Sequence, residues 1–349
     1  MIARAVSPRR DRVRTVGAAV GFVVLAGAAG LSINAARSSV PAVSAGGGSV
    51  SLAARTGLVA RSTADDSRGN LISVSASGGR RVISRVRCER LYAAAGTGIC
   101  LRLDGDLTTY QLAVLDSGLR VRREIPLVGI PNRARVSPSG HLVAWTVFVT
   151  GDSYNGGRFS TRVGILDTRS QTLVPTLEDW AAAVAGKPYK AKDLNFWGVT
   201  FAADDRFFYA TMSTGGHRYL IQGDLATRSL RTLAENVECP SLAPDGKRIA
   251  FKAAKDGNPR HGWRLSVLTL ASGRVSQIGQ VSQVIPLAET RSVDDQAAWL
   301  DAHTVAYALR RGREHADVWA VPADGTGAPR VLVPDAESPA PLGTAPMSD

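Results

Sequence analysis

Two segments of this chain carry residue types that could do chemistry. Residues 186–198 read G-K-P-Y-K-A-K-D-L-N-F-W-G, basic at first and then polar and aromatic. Lys187, Lys190 and Lys192 suit an anion, with Asp193, Asn195 and Trp197 completing a recognition loop. The plainer reading is a connection whose Phe196 and Trp197 plug the space between neighbouring structural units. Residues 289–296 read E-T-R-S-V-D-D-Q. The adjacent carboxylates Asp294 and Asp295, followed by Gln296, suit a cation or a basic partner. They equally suit capping and hydrogen bonding of their own loop. Neither segment has the regular oxygen-ligand spacing of a calcium loop.

The rest of the chain offers no catalytic constellation. There is no G-x-S-x-G, so Ser153 in Gly151-Asp152-Ser153 is not a nucleophile elbow. The five histidines, His141, His217, His261, His303 and His315, show no H-x-x-x-H spacing. Cys88, Cys100 and Cys239 lack the C-x-x-C pairs of a zinc site, and three are too few for a disulfide-built scaffold. Cys88 and Cys100 fall on one expected hairpin, where a disulfide is possible if the compartment is oxidising. Nothing points to a metal or a cofactor.

The elements that must position these residues follow from the pattern. The chain has 349 residues, 44% of them hydrophobic, with 35 Gly and 17 Pro, enough for a sizeable core and many tight turns. The net charge of +12 is partly local, because Arg4, Arg9, Arg10, Arg12 and Arg14 crowd the start. Elsewhere the charge is dispersed, with no basic run interleaved with aromatics, so no nucleic-acid partner is expected.

After that basic start (residues 1–14), residues 15–36 are uncharged and rich in Ala, Gly and Val. This is the export pattern, with the arginines held in the cytoplasm. The expectation is a signal or anchor helix over 15–36. It makes the chain a single-pass cell-membrane protein with everything beyond it outside the cytoplasm. Cleavage after Val43-Ser44-Ala45, giving a secreted protein, is the alternative. Residues 37–57, with a Gly triplet, read as a flexible linker. Residues 334–349, rich in Pro and Ala, read as a disordered tail.

Between linker and tail the dominant period is two, with short alternating runs bounded by Gly, Asp, Asn and Ser: strands in hairpins. A short helix is expected only around 177–185. The hairpins alternate between two kinds. One has a compact turn, clearest in Ser137-Pro138-Ser139-Gly140 and Ala243-Pro244-Asp245-Gly246, with degenerate copies around Asp204-Asp205, Asp301-Ala302 and Ala95-Gly96. The other turns at Asp116-Ser117-Gly118, Asp167-Thr168-Arg169, Ala226-Thr227-Arg228, Ala271-Ser272-Gly273 and Ala323-Asp324-Gly325. Each pair of hairpins makes a four-stranded unit, and a repeated unit of about forty residues is the sign of a propeller blade. Five units run from Cys88 to Val333. A sixth, from residues 58–62 and 71–82, would be completed by the opposite end of the chain.

The S-P-x-G and A-P-D-G turns, each followed by a strand ending in Ala-aromatic, resemble the TolB-type β-propeller repeats, which are related to WD repeats. The resemblance covers residues 58–333. It implies an all-β, six-bladed propeller in the cell envelope, without the α/β domain that precedes the TolB propeller. The long irregular segments, 149–161, 176–197, 253–262, 280–296 and 310–316, would lie at the end of the propeller opposite the compact turns. That end is therefore the expected working face. The reading that follows is an extracytoplasmic scaffold, not an enzyme, that binds an envelope protein or a cell-wall ligand. The alternative is a propeller hydrolase or lyase acting on an envelope polymer.

Overall fold

The computed structural model describes residues 44–45, 49–75, 80–105, 109–149, 160–270 and 281–343. Its strands form six sheets, one per blade, of mostly four antiparallel strands. The first strand of each blade lies innermost. These strands are Ala336–Pro341, Arg90–Ala94, Ile130–Val136, Asn195–Phe201, Glu238–Leu242 and Ala298–Trp299 for blades 1 to 6. The basic start and the 15–36 segment lie outside the described residues. Among the described residues, no helix is long and apolar enough to cross a membrane.

The compact turns join the first and second strands of blades 2 to 6. In the clearest copies the turn closes with Gly140 N donating to Ser137 O and Gly246 N to Ala243 O, both at 2.9 Å. Gly140 and Gly246 have φ of 80° and 68°, which an L side chain rarely adopts. In the degenerate blade 4 copy Asp205 takes that conformation, with φ of 53°, as a short polar residue can. The turns of the other kind join third and fourth strands, and the one at 271–280 lies outside the described residues.

Blade 1 closes the ring. Its second to fourth strands, Leu58–Ser62, Asn70–Val74 and Arg80–Arg87, come from the start of the domain, and its first from the end. Residues 336–341, expected in a disordered tail, form that first strand, pairing Leu58 with Pro341 and Ser62 with Ala336. The composition misled because an innermost strand pairs on one side only. Prolines at 339 and 341 are tolerated there for want of a second ladder.

A second correction concerns 177–185. Instead of a helix, Ala181–Val184 and Lys187–Tyr189 form a hairpin, and its first strand runs parallel to Ser229–Glu235, extending the outer edge of blade 4. Alanine-rich sequence favours helix locally, but here Ala181–Val184 gains a ladder on each side, from Ser229–Glu235 and from Lys187–Tyr189. The 310–316 segment is also shorter than expected. The strands Thr304–Arg311 and His315–Pro322 leave only a tight turn between them.

The core lies between blades. Trp180, Phe196, Phe208 and Met212 fill the space between blades 3 and 4, and Trp299, Tyr307 and Leu265 that between blades 5 and 6.

Candidate functional site

Each innermost strand begins at one end of the central channel and runs towards the compact turns at the other. At the starting end, a cavity of about 720 Å³ opens among the first residues of these strands and the ends of the strands beside them. At the compact-turn end the described residues line a smaller space of about 70 Å³. The middle is filled. Arg135 lies over the Tyr92 ring, 4.2 Å from its centroid, and donates to Ala297 O at 3.0 Å. The cavity is thus a pit at the end that carries the longer connections.

Four of the sequence-selected residues line it: Asp193, Asn195, Trp197 and Asp294. The carboxylate of Asp193 accepts from Thr214 Oγ1 and Gly215 N, both at 2.7 Å, and these bonds hold it below the usual carboxylate range. Asn195 is buried, its Oδ1 accepting from Thr161 N at 2.9 Å and Thr161 Oγ1 at 2.6 Å. The two readings of this segment divide between neighbours, since Phe196 packs between blades while Trp197 faces the cavity.

Asp294 is the centre of the charge arrangement. Its carboxylate meets Lys252 Nζ at 2.5 Å and Arg133 Nη2 at 3.6 Å, with the side chain 68% exposed to the cavity. Partial removal from water works against its ionisation, but the charges of Lys252 and Arg133 outweigh this and lower its pKa. Asp295 and Gln296 serve the scaffold instead. Asp295 Oδ2 accepts from Ala308 N at 3.0 Å, and Gln296 Nε2 donates to Val199 O at 3.0 Å and Pro240 O at 2.8 Å, tying blades 4 and 5. Lys187 and Lys190 are exposed, and Lys187 lies on the outermost strand of a six-stranded sheet whose innermost strand carries Asn195 and Trp197. Lys187 is therefore remote from the Asp193–Trp197 group, and none of the three lysines is among the residues that line the cavity.

Sequence reading missed the other charged groups of the cavity: Arg90, Arg133, Arg218, Lys252, Arg310 and Glu238. They come from blades 2 to 6, so no local spacing joins them. A signal was available in the innermost strands, where Arg133 and Glu238 put charge on segments that pack around a channel. Glu238 is almost fully buried. Its burial raises its pKa, against the pull of Lys252 at 3.6 Å and Arg218 at 2.7 Å. Lys252 also lies 4.1 Å from the centroid of the Trp263 ring.

Cys88 and Cys100 are joined, with sulfurs 2.06 Å apart and Cα atoms 5.3 Å apart. Cys88 lies not on the hairpin but in the link before it, since Leu91 is the residue opposite Cys100. Cys239 is buried at the cavity wall. Among the described residues, no group of three or more His, Cys, Asp or Glu could hold a metal ion.

These features define a six-bladed β-propeller, closed by pairing of Leu58–Ser62 with Ala336–Pro341, with a charged pit at one end of its channel. The same fold is seen in TolB. Over 82% of this chain and 65% of that one, the structure matches TolB from Acinetobacter baumannii with a TM-score of 0.56 at 16% identity. A putative TolB from Agrobacterium tumefaciens matches over 84% of this chain and 95% of that one, with a TM-score of 0.48 at 12% identity. The chain therefore spans less than two thirds of the length of the Acinetobacter protein. No protein-family model and no curated protein sequence matches it.

Proposed function

We propose that this chain is an extracytoplasmic binding propeller, carried out of the cytoplasm by its N-terminal apolar segment, that takes an envelope protein or cell-wall ligand at the pit. One observation carries this reading. The 720 Å³ cavity and its charged lining lie at the end with the longer connections, away from the compact turns. A concave site on a rigid ring, with polar groups that converge on it from several blades, is a form that binding sites take.

Site-directed photo-cross-linking in intact cells tests it. A cross-linker replaces Trp197 at the pit or Lys247 in a compact turn of the opposite end. A partner captured from position 197 and not from 247 supports the proposal, and capture from 247 alone overturns the assigned face. Protease digestion of spheroplasts tests the address, since the extracytoplasmic reading requires the propeller to be degraded while cytoplasmic proteins survive.

One arrangement favours the enzyme alternative. Glu238 and Asp294 share Lys252, and their pKa values move in opposite directions, as acid and base partners do. Soluble fragments released from purified envelopes by the wild type, and not by Asp294→Asn, would put that reading first.

A further inference from the structure

The pit holds more cationic than anionic groups, and the carboxylates are already engaged. Among its described lining residues are five cations, Arg90, Arg133, Arg218, Lys252 and Arg310, against the carboxylates Asp193, Glu238 and Asp294. Asp294 is taken by Lys252 and Arg133, Glu238 by Lys252 and Arg218, and Asp193 by Thr214 and Gly215. Arg90 and Arg310 have no carboxylate within ion-pair distance among the described residues. The only acceptor those residues offer Arg310 is Arg313 O, at 3.3 Å. Arg133 is 8% exposed, and its Nε is buried without a hydrogen-bond partner.

We propose that the pit binds an oxyanion, a phosphate or carboxylate group of its ligand, seated among Arg90, Arg133 and Arg310. The inference rests on the pit being the binding site and adds the chemistry of what enters it. Guanidinium groups offer paired N–H donors that match both oxyanions. Arg90 and Arg310 lie beside Arg133 with no carboxylate of their own among the described residues, and such crowding of like charge is unfavourable. Burial lowers the pKa of Arg90, and the positive charges of Arg133 and Arg310 push it further the same way, against the pull of Glu337 and Asp295. An oxyanion reverses the sign of that local field. The remaining lining suits the body of a small polar ligand, with Ser213, Ser292 and Asn132 for hydrogen bonds and Trp197 as an apolar wall.

The test is isothermal calorimetry on the purified full chain, with pyrophosphate and citrate as probes and glycerol as the neutral control. The expected result is saturable binding of at least one oxyanion, weakening as salt rises. Arg90→Gln and Arg310→Gln should each weaken it about tenfold or more, the scale of a lost charge-assisted hydrogen bond. Tighter pyrophosphate assigns a phosphate ligand, and tighter citrate a carboxylate. Arg310 is exposed, so its variant stays folded and informative even if Arg90→Gln does not. Binding of neither probe, or binding equal in wild type and Arg310→Gln, overturns the inference. A cross-link from position 197 that persists in that case leaves the binding-module reading intact. Oxyanion binding without any cross-linked partner would instead remove the macromolecular partner and keep the site.

Discussion

Trp145 and Gly164 face each other across the second and third strands of blade 3, and the indole occupies the space of the missing side chain. A Cβ on residue 164 would overlap Cζ2 and Cε2 of the ring. Phe208 and Gly223 repeat the arrangement in blade 4. An aromatic ring laid over a glycine lets a flat group pack between blades without prising the strands apart.

Gly164→Ala and Gly223→Ala are therefore expected to destabilise the propeller by about 1–3 kcal/mol each, the cost of overpacking a close-packed core. Gly118→Ala is the control, because its nearest neighbour is 3.5 Å away and its site is exposed. Urea unfolding reads the difference as a lower midpoint with an unchanged slope for the first two and no shift for the third.

Glu289 should give the fold an acid-sensitive joint. Burial opposes its ionisation, but hydrogen bonds from Arg291 and Tyr307 outweigh this and hold its carboxyl below the ordinary value of 4.5. Tyr307 OH donates at 2.5 Å and Arg291 Nε at 2.8 Å. A depressed folded pKa means the contribution is complete above the unfolded value and is lost as pH falls through the folded one. Glu289→Gln should cost about 1.5–3 kcal/mol at neutral pH, and the two proteins should converge on acidification below the carboxylate range. A gap that persists into acid would show that Glu289 acts by packing alone. Glu238 has the opposite sign. Its raised pKa means its contribution is present below the unfolded value and is lost as pH rises through the folded one.

The contrast between Gly140 and Arg133 shows how far the sequence could be read. A compact turn is a local event, written in four or five consecutive residues, and its recurrence at Gly246 and Asp205 revealed the blades. The Pro-rich strand 336–341 was lost because its partner, Leu58–Ser62, lies at the other end of the domain. Composition describes only the segment itself. The hairpin at 181–189 was lost for the same reason, since Ala181, which extends the edge, pairs with Ser229, nearly fifty positions later. The site lies further still from local reading. Asp193, Asn195, Trp197 and Asp294 were reached because they flank conspicuous segments. Arg90, Arg133, Arg218, Lys252 and Arg310 gain a shared meaning only when the ring brings five blades together.

The Cys88–Cys100 disulfide ties the link between blades 1 and 2 to the second strand of blade 2, across a sequence separation of 12. A loop of that size is worth about 3 kcal/mol in the chain-entropy account. Cys88→Ser with Cys100→Ser should lower stability by about that amount. Reduction of the wild type should do the same, whereas reduction of the double variant should change nothing. Thiol titration of denatured protein gives a second check. Only Cys239 should react before reduction, and all three cysteines after it.

Closure of the ring by residues 336–341 leads to the sharpest expectation. Arg61, on the strand paired with them, meets Glu337 at 3.0 Å and Glu89 at 3.2 Å, and its Nε donates to Cys88 O at 2.6 Å. One guanidinium thus joins the last strand, its neighbour and the start of blade 2. Ala336, Ala340 and Leu342 are buried in the same region. A chain ending after Val333 loses all of this and leaves Leu58–Ser62 as an unpaired edge beside the channel, a template for pairing with another chain. It should lose its cooperative thermal transition and elute from size exclusion as oligomers or aggregate. A chain ending after Gly343 keeps the strand and should melt as the intact protein does. If the shorter chain remains a monomer with an unchanged midpoint, the last strand does not close the ring, and blade 1 must be held by its contacts with blades 2 and 6 alone.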